Sequence, residues 1–433
     1  MPTAIWSRKM KVLIISHNPV SEQSNMGKTF MTLFSQFQRE ELCQLYIYPT
    51  VPNGQHCTSY YRVTDKQAVK SLLTRKNIGG EVVAEESQAA YEKAGDEALY
   101  RNKKNKSAAR RLARDMVWRC APWYNAGLKS WLDREAPTCI FVAPGVAKFI
   151  YDFALRISAE RKIPIVTYVC DEYYFVKEPA FCLDRLRLAL LKKKIEKLMA
   201  KTSHLVAISR ELEENYGKKF GIPVTRVMTG AAVAPGGDSK MPQQPDAVCY
   251  FGNVRSNRYL SLGRIGQALD EMNEKHGTAY RLKIYTSEKD EQILTHLRQF
   301  KSVELCGFVS GAAFAETLQK SPLLLHTEAF DEENIDKVRN SVSTKIADSL
   351  ACGIPLLAYG PEEVSSMKHL IRNNCALTAV TEKELPQMLQ KAFGDEEARR
   401  EAVKNALAVA AKYHDSEKNS RLLHKILEEA SKT

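Results

Sequence analysis

Short runs of consecutive apolar residues alternate along this chain with longer stretches in which apolar residues return every three or four positions. Runs of four or five aliphatic and β-branched residues, bounded by polar or turn residues, read as buried strands. The three-to-four spacing reads as helices with one apolar face. On this basis strands are predicted at 12–16, 44–48, 139–143, 165–169, 204–208 and 224–228, and again at 247–251, 281–285, 302–306, 322–326, 355–358 and 376–379. Helical patterns fall between most of them. That alternation predicts an α/β protein whose parallel sheets are covered by helices on both faces.

The alternation breaks over 230–246, where Gly, Pro and polar residues follow one another without a period, the composition of an interdomain linker. The expected organisation is a Rossmann-like domain over 1–235, a linker at 236–246, a second Rossmann-like domain over 247–411 and a closing segment at 412–433. Residues from about 63 to 136 contain no clear strand and read as a helical insertion in the first domain. Two doubly wound domains facing one another leave a central cleft, and ligands of such sheets sit beyond the carboxyl ends of the strands.

Composition narrows the class. The chain has 433 residues, of which 44% are hydrophobic and 26% charged, an ordinary globular balance. No apolar run approaches the ~18–20 residues of a membrane span, and Val12–Ile15 is too short for the core of a secretion signal. Ten cysteines are scattered without C-x2-C spacing, which predicts no zinc site and reduced thiols in a cytoplasmic protein. The net charge of +12 is local. Residues 101–119 hold eight basic side chains and one acid, and residues 185–201 hold seven and one, leaving the remainder near neutral. In the second stretch Leu188, Leu191, Ile195 and Leu198 form one helical stripe. Either this is a surface helix with its lysines in water, or it docks on a membrane surface. Nucleic acid is not expected, because no stacking aromatics are interleaved with the lysines. The first stretch runs into Trp118, Trp123, Tyr124 and Trp131, which suit either a lipid headgroup interface or a core cluster.

Four blocks are candidates for chemistry. The loop 16–29 follows a strand and ends Gly27-Lys28-Thr29, similar to the close of a phosphate-binding P-loop. Glu22, however, stands where that motif needs its first glycine, so only a glycine at a helix mouth remains, either easing the turn or letting amides approach an anion. Cys170-Asp171-Glu172 follows the strand at 165–169, and a carboxylate there either orients a hydroxyl or caps a loop. Gly252 follows the strand at 247–251, and Arg255 and Arg258 beyond it could clamp a diphosphate, since guanidinium forks two donors onto phosphate oxygens. The richest block runs from Asn340 to Ala358. Ser343 or Thr344 could cap a helix whose first amides, with Lys345, suit a phosphate. Asp348 lies one turn deeper on the same face, placed to accept from two ribose hydroxyls. Gly353 and Pro355 end the helix.

These residues resemble the GT-B glycosyltransferases, in particular the retaining GT4-like group. Gly27 looks like that family's first nucleotide-facing loop, Ser203–Ser209 like its "ADxxIAxS" strand before the linker, and Phe251-Gly252 with Arg255 like the start of its donor domain. Ser343–Ala358 looks like its "PSKxxEYLAxGxPVLA" segment. The resemblance implies Gly27, Gly252, Arg255, Arg258, Asn340, Ser343, Thr344, Lys345 and Asp348 on the donor, with Asp171, Arg255 and Lys345 in catalysis. It implies a final helix, roughly 416–427, that crosses back onto the first domain. The sequence departs from the family at Asn340, where the first of two paired glutamates is usual, at Asp348 in place of the second, and at Cys170-Asp171 in place of a histidine. The implied activity is retaining transfer of a sugar from a UDP- or GDP-type nucleotide sugar to a glycan, lipid-linked or polysaccharide acceptor, with neither a divalent metal nor any other cofactor. The implied place is the cytoplasm or the inner face of a membrane, touched through 101–119 and 185–201. A nucleotide-sugar epimerase or hydrolase, a non-catalytic nucleotide- or sugar-binding subunit, and an ATP-hydrolysing protein using Gly27-Lys28-Thr29 are the alternatives.

Overall fold

The computed structural model describes residues 9–21, 25–49, 52, 56–82, 108–233 and 244–432. The chain divides into two compact units, 1–227 with 417–433, and 228–416. Within each unit the described strands form one sheet.

The sheet of the first unit has the order β4-β3-β2-β1-β5-β6-β7-β8. Its strands are β1 (Val12–Ser16), β2 (Leu42–Tyr46), β3 (Ser59–Arg62), β4 (Gly80–Glu81), β5 (Cys139–Ala143), β6 (Ile165–Val169), β7 (Thr202–Ala207) and β8 (Val224–Arg226). All pairs are parallel except β3 with the two-residue β4. Alternation along each strand feeds two cores. Leu13 and Ile15 of β1 point into one, and Val12 and Ile14 into the other. Both faces are therefore dry, which is why these strands read as unbroken apolar runs.

The helices of this unit are α1 (Asn25–Leu33), α2 (Asp65–Thr74), α3 (Ala108–Cys120), α4 (Ala126–Glu135), α5 (Lys148–Arg161), α6 (Cys182–Met199) and α7 (Arg210–Phe220). The segment expected to be a strandless insertion carries β4, a two-residue edge strand too short to show a period. β3 was not expected either, because Ser59-Tyr60-Tyr61-Arg62 has no aliphatic run. Its tyrosines are nevertheless buried. The tryptophans beyond the first basic stretch are core residues: Trp118 stacks on Phe149 at 4.2 Å between ring centroids, and Trp131 donates to Ser59 Oγ at 2.7 Å. Of that basic stretch, residues 101–107 lie outside the described residues, as do Glu22 of the first loop and 236–243 of the expected linker.

The sheet of the second unit is entirely parallel, with the order β11-β10-β9-β12-β13-β14. Its strands are β9 (Ala247–Phe251), β10 (Arg281–Tyr285), β11 (Val303–Gly307), β12 (Leu324–Thr327), β13 (Leu356–Tyr359) and β14 (Leu377–Ala379). Its helices are α8 (Arg258–His276), α9 (Glu291–Arg298), α10 (Gly311–Gln319), α11 (Glu332–Val338), α12 (Lys345–Ala351), α13 (Ser365–Arg372), α14 (Leu385–Gly394) and α15 (Glu396–Tyr413). Cys249 and Phe251 face one core, Val248 and Tyr250 the other.

The last helix, α16 (Ser416–Ser431), returns to the first unit, where Leu423, Ile426, Leu427 and Ala430 join the core of Val12, Phe34 and Phe141. Both crossings of the chain are tied together inside the second unit. His414 Nδ1 donates to the Thr229 carbonyl at 2.9 Å, and Ser416 Oγ donates to the Ala231 carbonyl at 2.6 Å. Gly230 passes so close to Ser416 that a Cβ would overlap it.

Candidate functional site

In the second unit the chain leaves β9 at Phe251 and turns sharply. Ser256 and Asn257 both adopt left-handed backbone (φ 55° and 59°), and Asn257 is held there by donating to Asp331 at 3.0 Å. The turn delivers Arg258 to the first position of α8, beside the end of β12. Arg258 reaches Glu328, just past β12, at 2.7–2.8 Å. The Glu328 backbone carbonyl is itself held by Ser261 Oγ at 2.8 Å. From the other side α12 presents Lys345, whose Nζ lies 5.9 Å from the centre of the Tyr250 ring. This ammonium packs directly on Gly252, and a Cβ at that position would overlap it. Gly252 has φ 156° and no side chain, so it makes the room that Lys345 occupies.

The charges do not cancel. Arg258 and Lys345 are cations, and among the described residues Glu328 is the carboxylate that acts on both. His326, at the same strand end, is pushed down to about 4 by burial, so it stays neutral although Glu328 is only 3.5 Å away. Its Nε2 is buried and makes no hydrogen bond among the described residues. Lys345 is drawn from 10.5 toward about 8, first by the loss of water around its ammonium and then by Arg258. The side chain as a whole remains open to solvent, which softens that shift. The cluster thus carries about one surplus positive charge at the carboxyl ends of two central strands, the place where parallel sheets hold ligands. His326 and Glu328 escaped the sequence reading because neither belongs to a recognisable motif. Their only signal was position at the end of a predicted strand.

The other expected donor residues are engaged elsewhere in the same unit. Arg255 forms a two-pronged pair with Glu288 at 2.5 and 2.6 Å, and the Glu288 carboxyl is held down to about 2, chiefly by that guanidinium. Asp348 Oδ1 accepts from the Ala232 and Val233 amides at 2.7 and 3.2 Å. Thr344 occupies the cap position of α12 yet makes no side-chain cap bond, and the Ser343 amide donates to Ser366 Oγ at 3.0 Å. The expected capping role is therefore not filled by Thr344. Thr344 is already in helical conformation, which turns a cap side chain away from the amides it would accept from. Asn340 is buried. A concavity lined by Cys249, Lys283, Tyr285, Glu316, Thr317 and Lys320 to Pro322 shares no residue with the Arg258–Lys345 cluster. Among the described residues no three His, Cys, Asp or Glu side chains gather as a metal would require.

In the first unit Gly27 serves close packing. A Cβ there would overlap the Ser21 and Pro19 carbonyls, so the glycine lets α1 sit against the loop after β1. Buried Gln44 fixes that loop by donating to Ser16 Oγ and the Asn18 carbonyl and accepting from the Val20 amide at 3.0 Å. Of the two carboxylates after β6, Glu172 is committed to the loop, accepting from the Tyr174 and Phe175 amides at 2.9 Å and from Tyr216 Oη at 3.3 Å. Asp171 is half-buried and accepts from Tyr173 Oη at 3.0 Å. Near the carboxyl end of β1, Arg114 grips Asp65 at 2.8 and 2.9 Å and approaches His17 Nε2 at 3.3 Å.

Residues 264–425 match the glycosyl transferase-like family model. No curated protein matches the chain in sequence. Solved structures do match in fold. The Anabaena protein HepE with UDP is 12% identical, with 97% of this chain and 100% of that one covered and a TM-score of 0.63. Sucrose-phosphate synthase of Thermosynechococcus elongatus is 10% identical, covering 97% and 98%, at 0.62. The UDP-forming α,α-trehalose-phosphate synthase of Burkholderia vietnamiensis is 11% identical, covering 97% and 100%, at 0.58. The fold is that of the GT-B glycosyltransferase structures, and the glycosyl transferase-like match falls on residues 264–425.

Proposed function

We propose that the protein is a retaining glycosyltransferase that moves a sugar from a UDP- or GDP-type donor to a glycan, lipid-linked or polysaccharide acceptor, without a divalent metal. The observation that carries this reading is the gathering of two cations at the ends of β9 and β12, Lys345 against Gly252 and Arg258 on Glu328, close enough for Arg258 to act on the Lys345 ammonium. Breaking the glycosidic bond leaves negative charge on the departing diphosphate. Fixed cations aimed at that charge stabilise the transition state more than the ground state. Lys345 and Arg258 supply it directly, and Arg255 joins by exchanging Glu288 for phosphate oxygens. Gly252 seats the Lys345 ammonium that meets the diphosphate, while Asn340, Ser343, Thr344 and Asp348 complete the nucleotide side, with Asp348 turning from the Ala232 and Val233 amides toward the ribose. Gly27 shapes the first unit's loop, and Asp171 orients the acceptor hydroxyl. The UDP and UDP-glucose in the HepE structures support a nucleotide-sugar donor.

A second reading, a nucleotide-binding subunit without transfer, is favoured by two features: Asn340 cannot ionise, and Asp348 is occupied by backbone amides. One experiment separates them. Melting is followed against UDP, GDP, ADP, dTDP, CMP and their sugars, and donors that bind are then incubated with acceptor and the product anomer assigned. A raised melting temperature with a product of unchanged anomeric configuration is expected. Inversion removes the retaining assignment, binding without transfer supports the second reading, and no binding by any nucleotide overturns both.

A further inference from the structure

Helix α6 has two apolar rows and only one of them is used. Leu188, Leu191, Ile195 and Leu198 are buried. Leu183, Leu186 and Leu190 recur at three- and four-residue steps about 140° round the helix, at 100° per residue, and are 49%, 50% and 39% exposed. The same strip continues, again in steps of three and four, through Lys193 and Lys197, both exposed. Phe181, at the cap of the helix, is 76% exposed, and Phe175 just before it is 42% exposed. Exposed single leucines are ordinary. Three exposed leucines on one strip that runs into lysines, with two exposed phenylalanines in the segment leading into the helix, are not.

The two basic stretches meet here. Helices α3 and α6 pack together, and Arg111 of α3 is close enough to Arg187 of α6 to depress its pKa, after burial. Met116, also on α3, is 56% exposed. Because Trp118, Trp123 and Trp131 are in the core, any lipid contact made by this region falls on α6 rather than on the tryptophans.

We propose that the outward strip of α6 docks this protein on an anionic lipid bilayer, with Phe181, Leu183, Leu186 and Leu190 in the headgroup–acyl boundary and Lys193 and Lys197 on lipid phosphates. An apolar row that shades into lysines matches a surface that is apolar at depth and negative at its rim. A nucleic acid would match the charge but not the leucines, and a soluble acidic protein would not need the row to end in lysine snorkels. The inference identifies the surface that would bring a membrane-held acceptor to the enzyme, and in that respect rests on the function proposed above. Docking itself needs no nucleotide.

The test is vesicle co-sedimentation of the full chain, without substrate, on phosphatidylcholine vesicles with and without phosphatidylglycerol. Binding is expected only with the anionic lipid. The variants Leu183→Ser/Leu186→Ser/Leu190→Ser and Lys193→Glu/Lys197→Glu are each expected to weaken it about tenfold or more. Their melting temperatures and UDP-induced shifts should match wild type, since none of the five side chains is in a core, and this separates failure of docking from failure of the donor site. Absence of binding to anionic vesicles overturns the proposal, as does undiminished binding by the leucine variant. Self-association that the leucine variant abolishes, without vesicle binding, also overturns it and assigns the strip to a second copy of the chain.

Discussion

Gly252 and Lys345 define one another. Any side chain at 252 would occupy the volume of the Lys345 ammonium, and φ 156° is a backbone conformation that favours glycine. Gly252→Ala should therefore displace the ammonium and lower stability by ~1–3 kcal/mol through overpacking and strain. The readout is calorimetric melting with and without UDP: a nucleotide-induced shift as large as wild type would show that the displaced lysine is not a ligand. Lys345 also carries a pH signature. Free, its pKa is drawn toward about 8 by desolvation of the ammonium and by Arg258. An incoming diphosphate favours the charged form and raises the pKa again. Binding then takes up a fraction of a proton near pH 8, and affinity falls as pH rises past that value, because more of the free protein must be recharged. Titration calorimetry in buffers of different ionisation enthalpy measures the uptake, and Lys345→Met should abolish it. Proton uptake unchanged in that variant would place the titrating group elsewhere.

At the scale of elements, the sequence showed strands where burial on both faces makes the apolar run continuous, as in β1, β5 and β9. It missed β3, whose tyrosines and flanking polar residues hide the pattern, and β4, which is too short to have one. The donor-side segment around α12 was legible because its Gly and Pro stop signals are local. Which charges oppose its residues was not. Glu288 lies 33 positions from Arg255 and Glu328 lies 70 from Arg258, so only the fold brings them together. The join of α15 and α16 was invisible for the same reason. There His414 donates from Nδ1 to Thr229, so its Nε2 must accept from His369 Nε2 at 3.1 Å. Burial lowers His414 from 6.5 to about 4. The unfolded chain therefore binds more protons than the folded one between those values, and stability contributed by neutral His414 is lost as pH falls through that window. The expected loss is a few kcal/mol, at ~1.4 kcal/mol per unit. Denaturant melts from pH 7 to pH 4 measure it, and His414→Asn should flatten the profile. An equally steep profile in the variant would assign the acid sensitivity to other groups.

At the scale of the whole molecule, the order of the chain and the order of its cores disagree. Residues 228–416 interrupt the first unit, and its last helix arrives only after the second unit is complete. In α16, Leu423 and Leu427 are fully buried and Ile426 nearly so, against a core that includes Phe34 and Phe37. Burying each such side chain is worth ~1.5–3 kcal/mol, so the helix contributes an amount comparable to the whole net stability of a typical domain. A fragment ending at Val227 should consequently be insoluble or molten, whereas the same fragment with residues 416–433 appended through a flexible linker should melt cooperatively. Leu427→Ala in the full chain should cost ~2–5 kcal/mol by urea denaturation, on the transition that reports the first unit. Equal cooperativity in the fragments with and without the helix would mean that the first unit closes its core without α16. The two crossings, tied by His414 and Ser416 to Thr229 and Ala231, would then connect units that are already folded rather than complete one of them.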